Sequence, residues 1–379
     1  MNIKIDKKDD VVLKILHYFI TEEDYKPVII NGIQNEIWLE NMERDLKLIR
    51  INTNYIHNSE QLKTDTFKAE SIMKSIRKNT LSFKMTMLNL LIDTGDSVKV
   101  FDTKNIETIK IDKINDFKKN KFINEFFPKA KEIIETEKVD PIEFFKLTED
   151  MNQKTINNEK KLQKIFSPKK PIMTYILIAL NIIVFLVINM LGEKGLSLAE
   201  LLANNKDLFK LGLYYTPFTA MFLHIDIFHI LFNMYALFVF GPIVEKYYGK
   251  WKMLLIYLVS GLVGSLFSLV FLPVNSISYG ASGAIFGLVG SIAYFTYYYR
   301  ATLQGLLRSD LLPTIVINLL LPLFIPGIDF FGHLGGLIGG IFITMAIGIG
   351  DKNRRQDQIN GIIITILLIL SMLFIIFYK

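Results

Sequence analysis

From residue 171 onward long apolar segments recur, whereas the first 165 residues mix apolar and charged positions at short spacing. In the first part, residues 11–20 repeat at helical spacing, and 26–31, 36–40 and 46–52 read as short strands broken by turns such as Asn31-Gly32. Residues 59–78 predict an amphipathic helix, 81–92 a strand or otherwise buried segment, 98–102 and 106–111 alternating strands, and 112–156 charged helices. An Asn- and Lys-rich stretch then runs through Phe166 as a linker or juxtamembrane helix. In the second part, segments 172–191, 223–244, 253–272, 281–299, 311–325, 330–349 and 361–378 approach the ~20 residues that cross a bilayer. The 311–325 segment is short and holds Pro313 and Pro322. The expected fold class is an all-α polytopic membrane domain, with a six-helix core and a seventh C-terminal span, behind an α+β soluble N-terminal domain. The expected boundaries are 1–165, 166–350 and 351–379.

Composition agrees with two unlike halves, because 51% hydrophobic residues over 379 is high for an ordinary soluble domain. No cysteine occurs, which removes thiol nucleophiles, disulfides and Cys-ligated metal from consideration. The formal charge of +6 is modest and reads as the basic flank of membrane spans, not as a nucleic-acid surface. Lys169, Lys170, Lys246, Lys250, Lys252, Arg300, Arg308, Lys352, Arg354 and Arg355 all fall on one side of the predicted spans. The other side is basic only at Lys194, Lys206, Lys210 and Lys379. By the positive-inside rule the N-terminal domain is cytoplasmic and the C-terminus outside, in a multi-pass plasma membrane protein. No cleavable signal peptide is expected, since residues 1–10 are polar.

The candidate chemistry lies in the apolar half. Tyr279-Gly280-Ala281-Ser282-Gly283-Ala284-Ile285-Phe286-Gly287 is a run of small residues with one hydroxyl, and its Gly283/Gly287 spacing suits close helix packing in lipid. A packing seam accounts for that run taken alone. Three of the five histidines share this half: His224 and His229, near Asn233, and His333 within Phe331-Gly332-His333-Leu334-Gly335-Gly336. Ionisable groups at membrane depth are costly and usually face a protein interior or a water-filled cavity. A serine and an imidazole are the minimum for an activated nucleophile, because the imidazole accepts the hydroxyl proton and later returns it. In the predicted topology His229, Asn233, Ser282 and His333 enter from the same side and share one depth, at ~1.5 Å rise per residue. His17 and His57 read as surface or partly buried residues, and no ligand spacing in the N-terminal half stands out for a metal.

With Gly280 to Gly283, His333 before a Gly-rich helix, and His224, His229 and Asn233 together, the sequence resembles the rhomboid intramembrane serine proteases. The likeness covers roughly 171–350 and includes Pro171 through Asn181, Phe185, and the Glu245-Lys246 pair. It implies a serine endopeptidase that cuts transmembrane protein substrates near the outer membrane face, at segments that unwind readily and after a small residue. Ser282 would be the nucleophile and His333 the general base and acid, a dyad without a third carboxylate, and Asp329 is assigned no catalytic role. The resemblance gives His229 and Asn233, with the Ser282 N–H, the oxyanion hole, while an interhelical tie is the plainer reading of Asn233. Gly280, Phe286 and His224 would support the site: Gly280 at the substrate carbonyl, Phe286 stacked against the His333 ring or else a plain core aromatic, His224 as a loop brace. Gly332, Gly336 and Gly340 would face Gly283 and Gly287, so Gly336→Leu is expected to lower activity. No cofactor is implied, metal or nucleotide, and a regulatory ligand or partner would belong to the N-terminal domain. Tyr215-Thr216 departs from the Trp-Arg pair of many rhomboids. Two other readings stay open, an inactive client-binding relative and a transporter whose polar residues line a pathway.

Overall fold

The computed structural model describes residues 6–167, 170–273, 275–300, 303, 312–320, 324, 327–350 and 355–378. It separates into two compact units, Met1–Leu162 and Gln163–Lys379. The first opens with α1 (Lys7–His17), whose Asp6 cap accepts the Lys7 N–H, followed by a π-helical turn over Tyr18–Glu22. Strands β1 (Lys26–Val28), β2 (Glu36–Glu40) and β3 (Leu48–Asn52) follow, then α2 (Ser59–Asn79), β4 (Met87–Leu91) and β5 (Ile106–Lys110). The sheet runs β1-β2-β3-β4-β5, with the first three antiparallel and β3, β4 and β5 mutually parallel. The crossover through α2 supplies the parallel step, since parallel neighbours cannot be joined by a hairpin. Short helices α3 (Ile114–Lys119), α4 (Lys121–Phe126) and α5 (Ala130–Ile133) precede α6 (Pro141–Phe166).

Every residue of β3 and β4 is buried, so the sheet is covered on both faces. Ile49, Ile51, Leu88 and Leu90 pack with Ile15, Phe19 and Phe117. Leu48 and Met87 pack with Ala69 and Met73 of α2. Between them on the α2 face lies Arg50, 1% exposed, its guanidinium held by Glu36 at 2.7 Å and by both oxygens of Asp65 at 2.6 and 2.7 Å. The expected 98–102 strand is not formed. Val98 instead joins a small cluster with Ile56, Leu62 and Leu91, and the Asp102 carboxylate accepts the Thr108 N–H at 2.9 Å. The segment is therefore irregular chain that runs into the turn before β5. The expected 81–92 strand is formed only as β4, and 112–156 divides into four helices.

The second unit is helical. Its elements are α7 (Ile172–Met190), α8 (Glu193–Leu202), the two-residue β6 (Asn204–Asn205), α9 (Lys206–Lys210), α10 (Thr216–Thr219), α11 (Ile227–Tyr248) and α12 (Lys250–Phe271). Then come β7 (Ile277–Ser278), α13 (Ser282–Tyr298), α14 (Leu312–Leu320), α15 (Phe330–Ile347) and α16 (Arg355–Tyr378). Among the described residues α7, α11, α12, α15 and α16 are long and apolar enough to cross a membrane. The fourth expected span is the 17-residue α13, and of the fifth only α14 and residue 324 are described; Lys169, Arg308, Lys352, Arg354 and Lys379 lie outside the described residues. The protein is thus a multi-pass membrane protein. Buried residues make up 61% of the most apolar stretch of α12 against 22% in α16 and 28% in α7, which puts α12 at the centre. Helices α12, α13 and α15 pack most closely on one another.

Some helix starts have their free N–H groups met by an acidic side chain. The Glu245 carboxylate accepts the N–H groups of Met173 and Thr174, each at 2.8 Å, which closes the start of α7 against α11.

Removing the Arg50 guanidinium would leave two acids uncompensated at a covered sheet face, at a cost of about 3 kcal/mol. Arg50→Ala is therefore expected to speed hydrogen exchange of the β3 and β4 amides about 100-fold. Unchanged protection there would contradict a structural role for this cluster.

Candidate active site

The site is built from the first turns of α13 and α15 and the loop that delivers α13. Ser282 opens α13, so its N–H belongs to the first-turn donors that a helix leaves free. The preceding loop is tied in three places. Gly280 N–H donates to the Ala220 carbonyl at 2.9 Å, Ala281 N–H to His224 Nε2 at 3.4 Å, and the Asn204 amide to the Ser278 hydroxyl at 3.1 Å. Gly280 takes φ +119°, and a Cβ there would stand 2.7 Å from the His229 ring. Only glycine fits both demands.

Helices α13 and α15 touch backbone to backbone. A Cβ on Gly336 would stand 2.0 Å from the Gly283 carbonyl oxygen, and one on Gly340 2.0 Å from that of Gly287. At the same seam the Gly332 carbonyl oxygen lies 3.3 Å from the Cβ position of Gly283. Ser282 and His333 are the chain neighbours of Gly283 and Gly332, so the seam brings the hydroxyl-bearing turn and the imidazole-bearing turn side by side. Phe286, four residues after Ser282 and thus on the same helical face, stacks on the His333 ring with centroids 4.3 Å apart and planes 16° from parallel. His333 is 7% exposed and its Nδ1 has no hydrogen-bond partner among the described residues. Ser282 is partly exposed beside a cavity of about 30 Å³ that Met221, Ser265, Ser268, Tyr279 and Asp329 also line, which is room for a water.

His229 and Asn233 stand on one face of α11, which begins only after the Asp226 cap, whose carboxylate accepts the His229 N–H at 2.7 Å. The His229 ring lies between His224 and Tyr279, at 5.0 and 5.7 Å. Asn233 is buried and its side-chain amide reaches the His229 carbonyl at 2.9 Å. His224 is not in the second span as expected; it sits in the turn before α11, because the helix cannot start until Asp226 supplies its cap. The sequence reading missed three side chains around the site. Asn204 fastens the loop before Ser282, Ser260 fills the groove at Gly287, and Ser268 meets Asp329. Asp329 three residues before Gly332 was readable as a helix cap; its partner Ser268 had no signal in the sequence.

Fold and site together define a multi-pass helical membrane protein in which the helix starts that carry Ser282 and His333 meet at a glycine seam. A rhomboid domain model matches residues 212–349. The chain is 36% identical to the rhomboid protease GluP of Bacillus subtilis (strain 168), over 55% of this chain and 41% of that protein. It is 36% identical to the putative rhomboid protease YdcA of the same organism, over 38% of this chain and 72% of that protein. RHOMBOID-like protein 6, mitochondrial, of Arabidopsis thaliana is 43% identical over 38% of this chain and 47% of its own length. The chain belongs to the rhomboid family. It nevertheless spans less than half the length of two of these three relatives.

Gly336→Leu forces α13 and α15 apart, an overpacking that costs about 1–3 kcal/mol. The melting temperature in detergent is expected to fall by about 2–4 °C per kcal/mol. An unchanged melting temperature would contradict the backbone contact.

Proposed function

We propose that this chain is an intramembrane serine endopeptidase acting on transmembrane protein substrates, with Ser282 as nucleophile and His333 as general base and acid. The observation that carries this reading is the meeting of their two helix starts at the glycine seam, with Phe286 stacked on the His333 ring. In the first half-reaction Ser282 Oγ adds to the scissile carbonyl carbon while His333 takes the hydroxyl proton. The C–N bond then breaks and His333 gives that proton to the leaving amine, which leaves an ester on Ser282. Water, deprotonated by His333, adds to the ester; the acid product departs and Ser282 recovers its proton.

The negative charge that forms on the carbonyl oxygen needs donors aimed at it. The Ser282 N–H at the start of α13 is one, and the side chains of His229 and Asn233 supply the others. Gly280 lets the carbonyl approach, and His224 holds Ala281 so that the Ser282 N–H keeps its direction. The basic flanks Lys246, Lys250, Lys252 and Arg300 favour a cytoplasmic N-terminal unit and a site near the outer face of the plasma membrane. A regulatory ligand or partner of this protease would act through that unit.

The reading is tested with purified wild type, Ser282→Ala, His333→Ala and Asn233→Ala in detergent, given a model transmembrane substrate. Wild type is expected to cleave it, Ser282→Ala not at all, His333→Ala about 10²–10⁴-fold more slowly, and Asn233→Ala about 10²–10³-fold more slowly. A folded wild type that binds the substrate without cleaving it would favour an inactive client-binding protein instead. Phe286→Leu, which removes the stacked ring face, is expected to lower kcat about two- to tenfold, since such ring pairs are worth about 0.5–1.5 kcal/mol. An unaltered kcat would reduce Phe286 to a packing residue.

A further inference from the structure

We propose that Asp329 is a positioning residue for His333: it ties the start of α15 to α12 and so fixes where the imidazole stands. This rests on the protease reading above. One Asp329 oxygen accepts the Gly332 N–H at 2.8 Å, and the other accepts the hydroxyl of Ser268 in α12. The Asp329 carbonyl also receives the N–H of His333 itself at 3.2 Å. Ser268 is buried, and its single proton lies within reach of the Gly264 carbonyl at 3.1 Å as well as of the carboxylate. The charged oxygen is the stronger acceptor. Gly332, wedged in this corner, has no room for a side chain, since a Cβ would stand 2.7 Å from Asp329 Oδ2 and 3.0 Å from Ser268 Oγ.

The need for such a tie follows from the seam. Gly332, Gly335, Gly336, Gly339 and Gly340 give α15 a nearly smooth face, which lets α13 and α12 come close but offers few knobs to resist sliding or rotation. Directional hydrogen bonds at one end supply the missing restraint. They act one residue before His333, where a displacement of about 1 Å from the reacting geometry is enough to cost about 10²-fold in rate. An ordinary helix cap would stabilise α15 by about 0.5–2 kcal/mol without needing a partner on α12. Ser268 is what distinguishes the two roles, because removing its hydroxyl leaves the cap on Gly332 intact.

The test measures kcat, KM and melting temperature for full-length wild type, Ser268→Ala, Asp329→Asn, Asp329→Ala and Ser268→Ala/Asp329→Ala with the model substrate. A positioning role predicts that Ser268→Ala lowers kcat about tenfold at unchanged KM and nearly unchanged melting temperature. Asp329→Ala should lower kcat further, and the double variant no further than Asp329→Ala. Asp329→Asn, which keeps an oxygen for the Gly332 N–H and donates an amide N–H to the Ser268 oxygen while that hydroxyl turns to the Gly264 carbonyl, should recover most of the rate. Wild-type kcat in Ser268→Ala, or loss in Asp329→Ala matched only by lost stability and not recovered by asparagine, would overturn the positioning role while leaving the protease reading standing. A folded wild type that cleaves nothing would overturn both.

Discussion

Everything at the site depends on the approach of α13 to α15 at glycine. Between helices in lipid the hydrophobic effect contributes little, since lipid tails are as apolar as leucine, and association comes from close packing and hydrogen bonds. Here the approach is close enough that a Cβ on Gly336 or Gly340 would lie 2.0 Å from a carbonyl oxygen of α13. That contact sets Gly283 against Gly332 and Gly336, so the first turns of α13 and α15, which carry Ser282 and His333, are brought into the same corner. A single β-carbon at this seam would separate them. The chemistry proposed for the pair is therefore a consequence of the absence of side chains next to it.

The second constraint is that polar groups placed at membrane depth must find partners. Glu245 closes the start of α7, Asp226 that of α11 and Asp329 that of α15, so three acids each satisfy first-turn N–H groups of a helix in the apolar half. The loop before Ser282 is held in the same way by His224, Ala220 and Asn204. These ties keep the N–H of Ser282 and the face of α11 bearing His229 and Asn233 in fixed relation. What they leave is a small cavity beside Ser282, the feature a water-consuming reaction requires.

Much of this was legible in the sequence, and for identifiable reasons. Glycine spacing at 283, 287, 332, 336 and 340 marks the two faces that meet, and Phe286 follows Ser282 by one helical turn, which puts its ring on the side of the seam. The amphipathic period of 59–78 and the strand at 36–40 likewise appear as α2 and β2. What escaped were contacts between residues far apart in the chain. Ser268 and Asp329 are 61 residues apart, His224 and Ala281 57, and no local pattern announces either pair. Arg50 was unreadable for another reason. A cation in a strand alternating with isoleucine looks like a solvent-facing position, and only Asp65 on the crossing α2 with Glu36 on β2 makes burial tolerable. The 98–102 segment alternates like a strand, yet it stays irregular, with Val98 packed against Ile56, Leu62 and Leu91 and Asp102 taken up by Thr108.

The most direct measurement is to treat the full-length protein in detergent with a fluorophosphonate and map the adduct by mass spectrometry, in wild type and in His333→Ala. A serine activated at the seam predicts an adduct on Ser282, none on the buried hydroxyls of Ser260, Ser268 or Ser291, and near-complete loss of labelling in His333→Ala. A folded wild type without an adduct on Ser282, or equal labelling in the two proteins, would contradict the pairing of Ser282 with His333.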